Sequence, residues 1–387
     1  HKLQKTDITV EISEGKATAA DAGVLHGTLA VKLTQAGQPL VLGTDYELSF
    51  ADSDKTVITR IDGGGITGSQ TSLVVSYTCL DPSAVDATDI IGGYDANTGK
   101  YTGLAVLDQV FPQYRLVPGQ VLAPGWSTDP MVAAVMKAKA GSINGVFKST
   151  STVDLPTDEV DVYSKAPEWK NQNNYTDKQE IVCWPKVILG TNIYWLSTQL
   201  AALNCQTDAS YDDIPYASPS NKSLQANGAV LANGTAVSLG PDQANYLNGE
   251  GIVTALNWIG GWRLWGNRTA IYPASTDVKD VFIPVRRMFN WIANTLILTY
   301  FQKVDDPTNE RLIRTVIDSI NIWLNGLVAR GALIAGRVEF RDDENPRTDL
   351  LDGKIRFHVY ITSPIPAEAI DFVLEYDVSG LDALFAA

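Results

Sequence analysis

Residues that carry chemistry are scarce in this chain: three cysteines, three histidines and three methionines among 387 residues. Cys79, Cys183 and Cys205 are too few and too widely spaced for a disulfide framework, and no two lie close enough in sequence to share a zinc ion. They suit a reducing compartment. His1, His26 and His358 form no His-x-x-His or His-Glu-x-x-His spacing, which excludes the familiar helical metal signatures. Basic residues are short too. With 30 Lys and Arg against 44 Asp and Glu, the formal charge is −14, an excess that repels nucleic acid and anionic lipid. No run approaches the roughly 20 apolar residues that span a bilayer, and no charged-then-apolar leader opens the chain. The expectation is a protein with no cofactor, no metal, no nucleic-acid partner and no membrane insertion.

What is present is length and texture. A chain of 387 residues can bury a substantial core and predicts two or three domains. The fold class expected is multidomain α+β: an N-terminal all-β domain, a middle α/β domain and a C-terminal α+β domain. Residues 1–85 alternate apolar and polar positions in TDITVEI, GTLAVKL, TVITRI and SLVVSYT, predicting a sandwich-like domain of about four to six strands. Residues 86–270 carry two strand-then-helix units. In the first, Leu116–Ala123 leads into MVAAVMKAKAGSI; in the second, EIVCWPKVIL reads as one strand before the helix NIYWLSTQLAALNC. Such units imply an α/β layer. Residues 271–387 read as two long helices against a small sheet. Pro284 opens the first helix. Asp306 caps the second, and Leu312, Val316, Ile320 and Trp323 form its apolar stripe. The strand ALIAGRVEFR and two further strands, Arg356–Thr362 and Ala369–Tyr376, complete the domain, the last two joined by a link holding Pro364 and Pro366.

The remaining motifs are weighed against plainer readings. The glycine run 62–68 leads into the strand Ser72–Tyr77 rather than a helix, so it reads as a β turn and not a phosphate loop. Ala123-Pro124-Gly125-Trp126-Ser127 sits between strand and helix, where hydrolase nucleophiles sit. It lacks the G-x-S-x-G elbow and an assignable base, and Ser127 or Thr128 reads as a helix cap. Asp342, Asp343 and Glu344 read as a solvated turn, with a cation site or a salt bridge to another subunit as the alternatives. WIGGWRLWGNR crowds three tryptophans and two arginines into eleven residues, and reads as a loop whose Trp262 and Trp265 are candidate contact residues. From Arg286 to Arg347 nine basic and eight acidic residues nearly cancel. A mixed-sign surface of this kind suits protein–protein contact.

The C-terminal order Asp280-Val281-Phe282-Ile283-Pro284-Val285-Arg286-Arg287, two helices, Ala335-Gly336-Arg337-Val338, Asp342 to Pro346 and a terminal β pair resembles that of contractile phage tail sheath proteins. Lys165-Ala166-Pro167, Glu180 to Pro185 and Pro219 to Lys222, with Ala123-Pro124-Gly125, resemble the middle of the same family. The resemblance spans roughly residues 90–387, and residues 1–80 look like the family's variable outward-facing β domain.

The resemblance implies a non-enzymatic structural subunit of a phage or prophage virion, stacked as hexameric rings around a tail tube and assembled in the bacterial host cytoplasm. It implies as partners other copies of the chain, the tail tube protein, and baseplate and tail terminator proteins. It also implies arms exchanged between subunits. The C-terminal arm would lie at Phe372, Val373, Leu374, Tyr376 and Val378, with Leu381–Phe385 contributing; the family's N-terminal arm is not recognised here. Expected assembly contacts are Arg286, Arg287, Arg337, Asp342, Asp343, Glu344, Trp262 and Trp265. Two readings from other classes stand beside it. One is a carbohydrate- or surface-binding module using Tyr46, Phe50 or Tyr77; the other is an acidic serine hydrolase acting through Ser127.

Overall fold

The computed structural model describes residues 1–51, 54–379 and 381. Two compact units divide the chain, 1–89 and 90–387.

The first unit holds β1 (Lys2–Ser13), β2 (Lys16–Ala22), β3 (Ala30–Lys32), β4 (Tyr46–Phe50), β5 (Lys55–Arg60) and β6 (Ser72–Leu80). They form one antiparallel sheet in the order β3-β6-β1-β2-β5-β4. Alternation on β6 sends Leu73, Val75, Tyr77 and Cys79 inward, as a half-buried strand requires. The two edge strands contribute Val31 and Tyr46 to the same apolar cluster as the middle strands, so the sheet curves around its own core. A bulge in β1 between Lys5 and Ile8 assists that bend. The unit is therefore one continuous sheet and not two facing ones. Periodicity reveals which face of a strand is apolar, but not whether neighbouring strands share a ladder. The glycine run is a turn clasped to Asp45, whose carboxylate accepts the N–H groups of Val41 and Gly65 at 2.7 Å each. Those bonds hold it below its ordinary pKa. A Cβ on Gly64 would lie 2.7 Å from the backbone of Thr44 and Asp45, so glycine is required there.

Between α1 (Ala87–Ile91) and α2 (Leu107–Tyr114) lies a short ribbon, β7 (Gly93–Asp95) and β8 (Lys100–Thr102). The central layer of the second unit then follows: β9 (Gln120–Leu122), α3 (Pro130–Gly141), β10 (Thr150–Asp154), α4 (Ala166–Gln172) and β11 (Glu180–Cys183). After β11 the chain leaves the layer for a small antiparallel sheet, β12 (Lys186–Leu189), β13 (Asn192–Tyr194), β14 (Gly228–Val230) and β15 (Ala236–Val237), with α5 (Leu196–Ala209) between β13 and β14. It returns through α6 (Pro241–Gly249) to β16 (Ile252–Trp258) and β17 (Gly261–Trp265). Strands β9, β10, β11 and β16 are parallel, and β17 closes one edge antiparallel. β10 and β11 are buried along their whole length, as parallel strands covered on both faces are.

Two expectations change here. EIVCWPKVIL is two strands in two sheets, because Pro185 has no N–H to continue the ladder. α3 is capped by Asp129, which accepts the Met131 N–H at 2.8 Å, so neither Ser127 nor Thr128 is the cap.

Two acids are buried in this layer. The Asp154 carboxylate accepts the Ser197 N–H at 3.0 Å and the Ser197 hydroxyl. Burial nevertheless pushes its pKa up to about 7, and likewise Glu180 to about 7. In the unfolded chain both release protons in the ordinary carboxylate range. Between that range and pH 7 the folded chain holds protons that the unfolded chain has lost. The stability from these groups is full at the acid end and declines as pH rises to 7. The slope approaches about 1.4 kcal/mol per pH unit for each group. Paired Asp154→Asn and Glu180→Gln substitutions are expected to flatten the stability profile between pH 4 and 7, measured by denaturant melts at each pH.

The C-terminal layer comprises α7 (Val278–Val281), α8 (Ile283–Tyr300), α9 (Glu310–Ala329), β18 (Ala335–Glu339), α10 (Arg347–Leu351) and β19 (His358–Thr362). Pro284 stands in the first turn of α8. α9 begins later than Asp306 and Pro307 suggest: Asn309 is its cap, accepting the Leu312 N–H at 2.9 Å, while Asp306 pairs with Lys303. Val316, Ile320, Leu324 and Leu327 of α9 pack with Met288 and Ile292 of α8 and with Val338. α9 does reach the length and mean hydropathy of a membrane span. Its apolar residues instead supply this core stripe, and it carries Glu310, Arg311, Arg314 and Asp318. The domain boundary expected near residue 270 falls inside the second unit. α8 is tied to the parallel layer by Asn290, which bonds Gln179 and the Ser149 carbonyl, and by Asn294, which bonds both backbone groups of Lys148.

Candidate assembly surface

β18 and β19 pair only with each other among the described residues, so neither has a strand on its outer edge; on β18 the Asn321 side chain takes up the Val338 N–H at 2.9 Å and its carbonyl at 3.5 Å. Their alternate residues divide cleanly. Val338, Val359 and Ile361 turn toward the α8–α9 core. The opposite face pairs Arg337 with Tyr360 and Glu339 with His358. There the Arg337 guanidinium lies 3.9 Å over the Tyr360 ring and bonds Glu339 at 2.7 Å. Asp342, Asp343 and Glu344 form a 3-10 turn beside this face. Asp343 pairs with Arg341 at 2.6 Å and Glu344 bonds His358 at 2.7 Å. Asp342 is exposed. Among the described residues no group of three or more His, Cys, Asp or Glu side chains could hold a metal ion, so the acidic cluster is a turn cross-linked by Arg341 and His358. Next to β19 an apolar groove of about 570 Å³ opens between α8 and α9, with Leu296, Leu312, Val316, Ile320, Phe357 and Val359 on its walls.

The segment after β19 takes a different course from the second strand expected there. Residues 369–376 form no strand and pair with none of the described strands. Phe372 is 85% exposed and Leu374 94%, with Val373, Tyr376 and Val378 exposed beside them. Of the expected contribution from Leu381–Phe385, all but Leu381 lies outside the described residues. Arg286 and Arg287 are not on the surface. They are 7% and 8% exposed, Arg286 pairing with Asp280 at 2.8 Å and Arg287 with Asp208 through both prongs of its fork.

WIGGWRLWGNR is a hairpin, with Ile259 and Gly260 turning β16 into β17. Trp262 packs on the Leu196–Leu264 core, and the Trp265 Nε1–H donates to Asn245. The exposed large apolar residues at its tip are Trp258 and Ile259, neither of them among the expected contacts. A Gly-Gly pair between alternating apolar residues is a hairpin signal and would have found them. In the first unit Tyr46 and Tyr77 are core residues, and Phe50 stacks on His26, so the three make no shared aromatic platform. Ser127 is fully buried, its hydroxyl accepting the Asp154 N–H at 3.1 Å, and lines no cleft.

No protein-family model matches the chain. The tail sheath protein of Burkholderia phage BcepMu is 29% identical over 376 residues, which are 95% of this chain and 77% of that protein. The tail sheath protein of Escherichia phage P2 is 25% identical over 352 residues, 89% of this chain and 82% of that protein. Along nearly its whole length the chain is similar to phage tail sheath proteins. Two solved structures share its fold. One is the contracted sheath complex of the extracellular contractile injection system PVC, with a TM-score of 0.58 and 20% identity over 72% of this chain and 77% of that one. The other is the baseplate of the anti-feeding prophage, with a TM-score of 0.56 and 21% identity over 77% of this chain and 82% of that one. In this chain the unextended β18–β19 pair and the bare C-terminal segment are the features that ask for a neighbour.

Proposed function

We propose that the chain polymerises as stacked hexameric rings around an inner tail tube, and that contraction of the array drives the tube through the host envelope. The observation that carries this reading is the exposed apolar tail in a chain whose β18–β19 pair has no further strand on either edge among the described residues. An isolated two-stranded sheet is marginal, and an unpaired apolar strand is an aggregation hazard. Pairing the tail of one copy with an open edge of the next removes both liabilities. Backbone groups become satisfied and alternate side chains fill pockets, the α8–α9 groove being the nearest apolar receptor. Repetition of this head-to-tail contact builds a helical array. Residues 271–387 are then the assembly layer facing the tube, and residues 1–85 the outward-facing domain. Arg337, Asp342, Asp343, Glu344, Trp262 and Trp265 are the candidate contacts between copies. Other partners are the tube protein, the baseplate and the tail terminator, with assembly in the host cytoplasm. Negative-stain electron microscopy of the full-length protein at rising concentration, with and without tube protein, tests the reading. Striated tubes or rings are expected. A protein that stays monomeric in both arms overturns it.

A further inference from the structure

We propose that Arg268 and Asn248 form a socket for Glu368 that positions the exchanged tail, an inference that rests on the arm-exchange reading above. Arg268 lies 4.3 Å over the Tyr272 ring and 3.9 Å over the Phe282 ring, so its planar cation is held against aromatic faces. Its Nε donates to Glu368 Oε1 at 3.0 Å, and the second prong of the fork reaches Oε2. Asn248, in α6, accepts the Asn267 N–H on its Oδ1 at 2.9 Å. That contact turns its Nδ2 toward Glu368 Oε1, 3.2 Å away. The Arg268 side chain is only 14% exposed, and a bidentate guanidinium–carboxylate pair shielded in this way fixes direction as well as distance. The socket gathers groups from α6, from the segment after β17 and from the tail, the charged partners lying 100 residues apart.

Its position gives the socket its role. Pro364 and Pro366 restrict the backbone before Glu368, and Pro364, Pro366 and Ile370 line a cavity of about 560 Å³ with Tyr216 and Trp265. Past Glu368 no hydrogen bond joins residues 369–376 to another described residue. Ordering a residue's backbone costs about 1–2 kcal/mol. A root fixed at Glu368 limits that cost to the strand that pairs, and raises the effective concentration of the strand at the neighbour. Without the socket the root must be ordered as well, and the tail leaves in many directions.

The test uses the full-length protein with Cys205→Ser and a nitroxide at Asp371→Cys; Cys79 and Cys183 are buried. Glu368→Ala is expected to shorten the label's rotational correlation time about threefold or more. It is also expected to raise the concentration at which tubes appear about tenfold, equivalent to about 1.4 kcal/mol, read at a temperature well below the melting of both proteins. Glu368→Gln, which keeps the side-chain shape, should fall between, and carries the test if the alanine variant folds poorly. An unchanged spectrum overturns the socket. A freed label with unaltered assembly overturns its positioning role while arm exchange stands. A chain truncated after Ala369 that assembles like its parent overturns arm exchange itself.

Discussion

Leu374→Asp is expected to raise the concentration for assembly at least about 100-fold and to leave the melting of the isolated subunit unchanged. The second half of that expectation follows from its 94% exposure: the subunit loses no internal contact. The first half follows from the alternation of the tail. In an extended strand Phe372, Leu374, Tyr376 and Val378 share one face, while Asp371, Glu375 and Asp377 share the other with Val373. Burying a leucine contributes about 1.5–3 kcal/mol, and a carboxylate forced into the same apolar groove adds a desolvation cost. Glu375→Gln, on the acidic face, is expected to shift assembly less than about threefold, which is under about 0.7 kcal/mol. Sedimentation across a concentration series reads both. Equal effects at 374 and 375 would mean that the tail does not dock as a strand.

The same tail shows where sequence reading works and where it stops. Its β character is visible in the alternation, but a strand also needs a partner, and none of the described strands of the same chain pairs with it. The all-β first unit and the stripe of α9 were legible because burial follows a period of two or of 3.6 residues. The strand read from the sequence at Phe147–Val153 is present as β10, Thr150–Asp154, but its burial has no such period: Thr150, Ser151 and Thr152 are buried within a parallel sheet, where polar residues are not expected. The break at Pro185 was hidden because apolar residues continue through it, on into a different sheet. Arginine is mostly a surface residue, so Arg286 and Arg287 read as contacts to a neighbour. The acid that takes Arg287 inward, Asp208, lies 79 residues away, and nothing local announces it. The Arg268–Glu368 pair was invisible for the same reason.

Arg287→Ala is expected to destabilise the second unit by about 3–5 kcal/mol, the cost of leaving one member of a buried ion pair alone. Arg287 reaches from α8 to α5, where its Nη1 donates to Asp208 Oδ1 at 3.0 Å and to Asn204 at 3.4 Å. Truncation removes that cross-brace and leaves the Asp208 carboxylate, 19% exposed, without its counter-ion. For a unit of this size the loss corresponds to a fall in melting temperature of roughly 10 °C. Arg314→Ala is the contrasting variant: its pair with Glu310 on α9 is open to solvent and contributes less than about 0.5 kcal/mol. Replacing Arg287 and Asp208 together by leucine should recover most of the stability, because the penalty of the single variant lies in the stranded charge and not in the missing attraction. Calorimetry of the four proteins decides the matter. If the double variant melts as low as Arg287→Ala, the pair's directional bonds, rather than its neutralisation, hold α8 against the parallel layer. In that case the fork joins the Asn290 and Asn294 bonds in setting the orientation of the C-terminal layer.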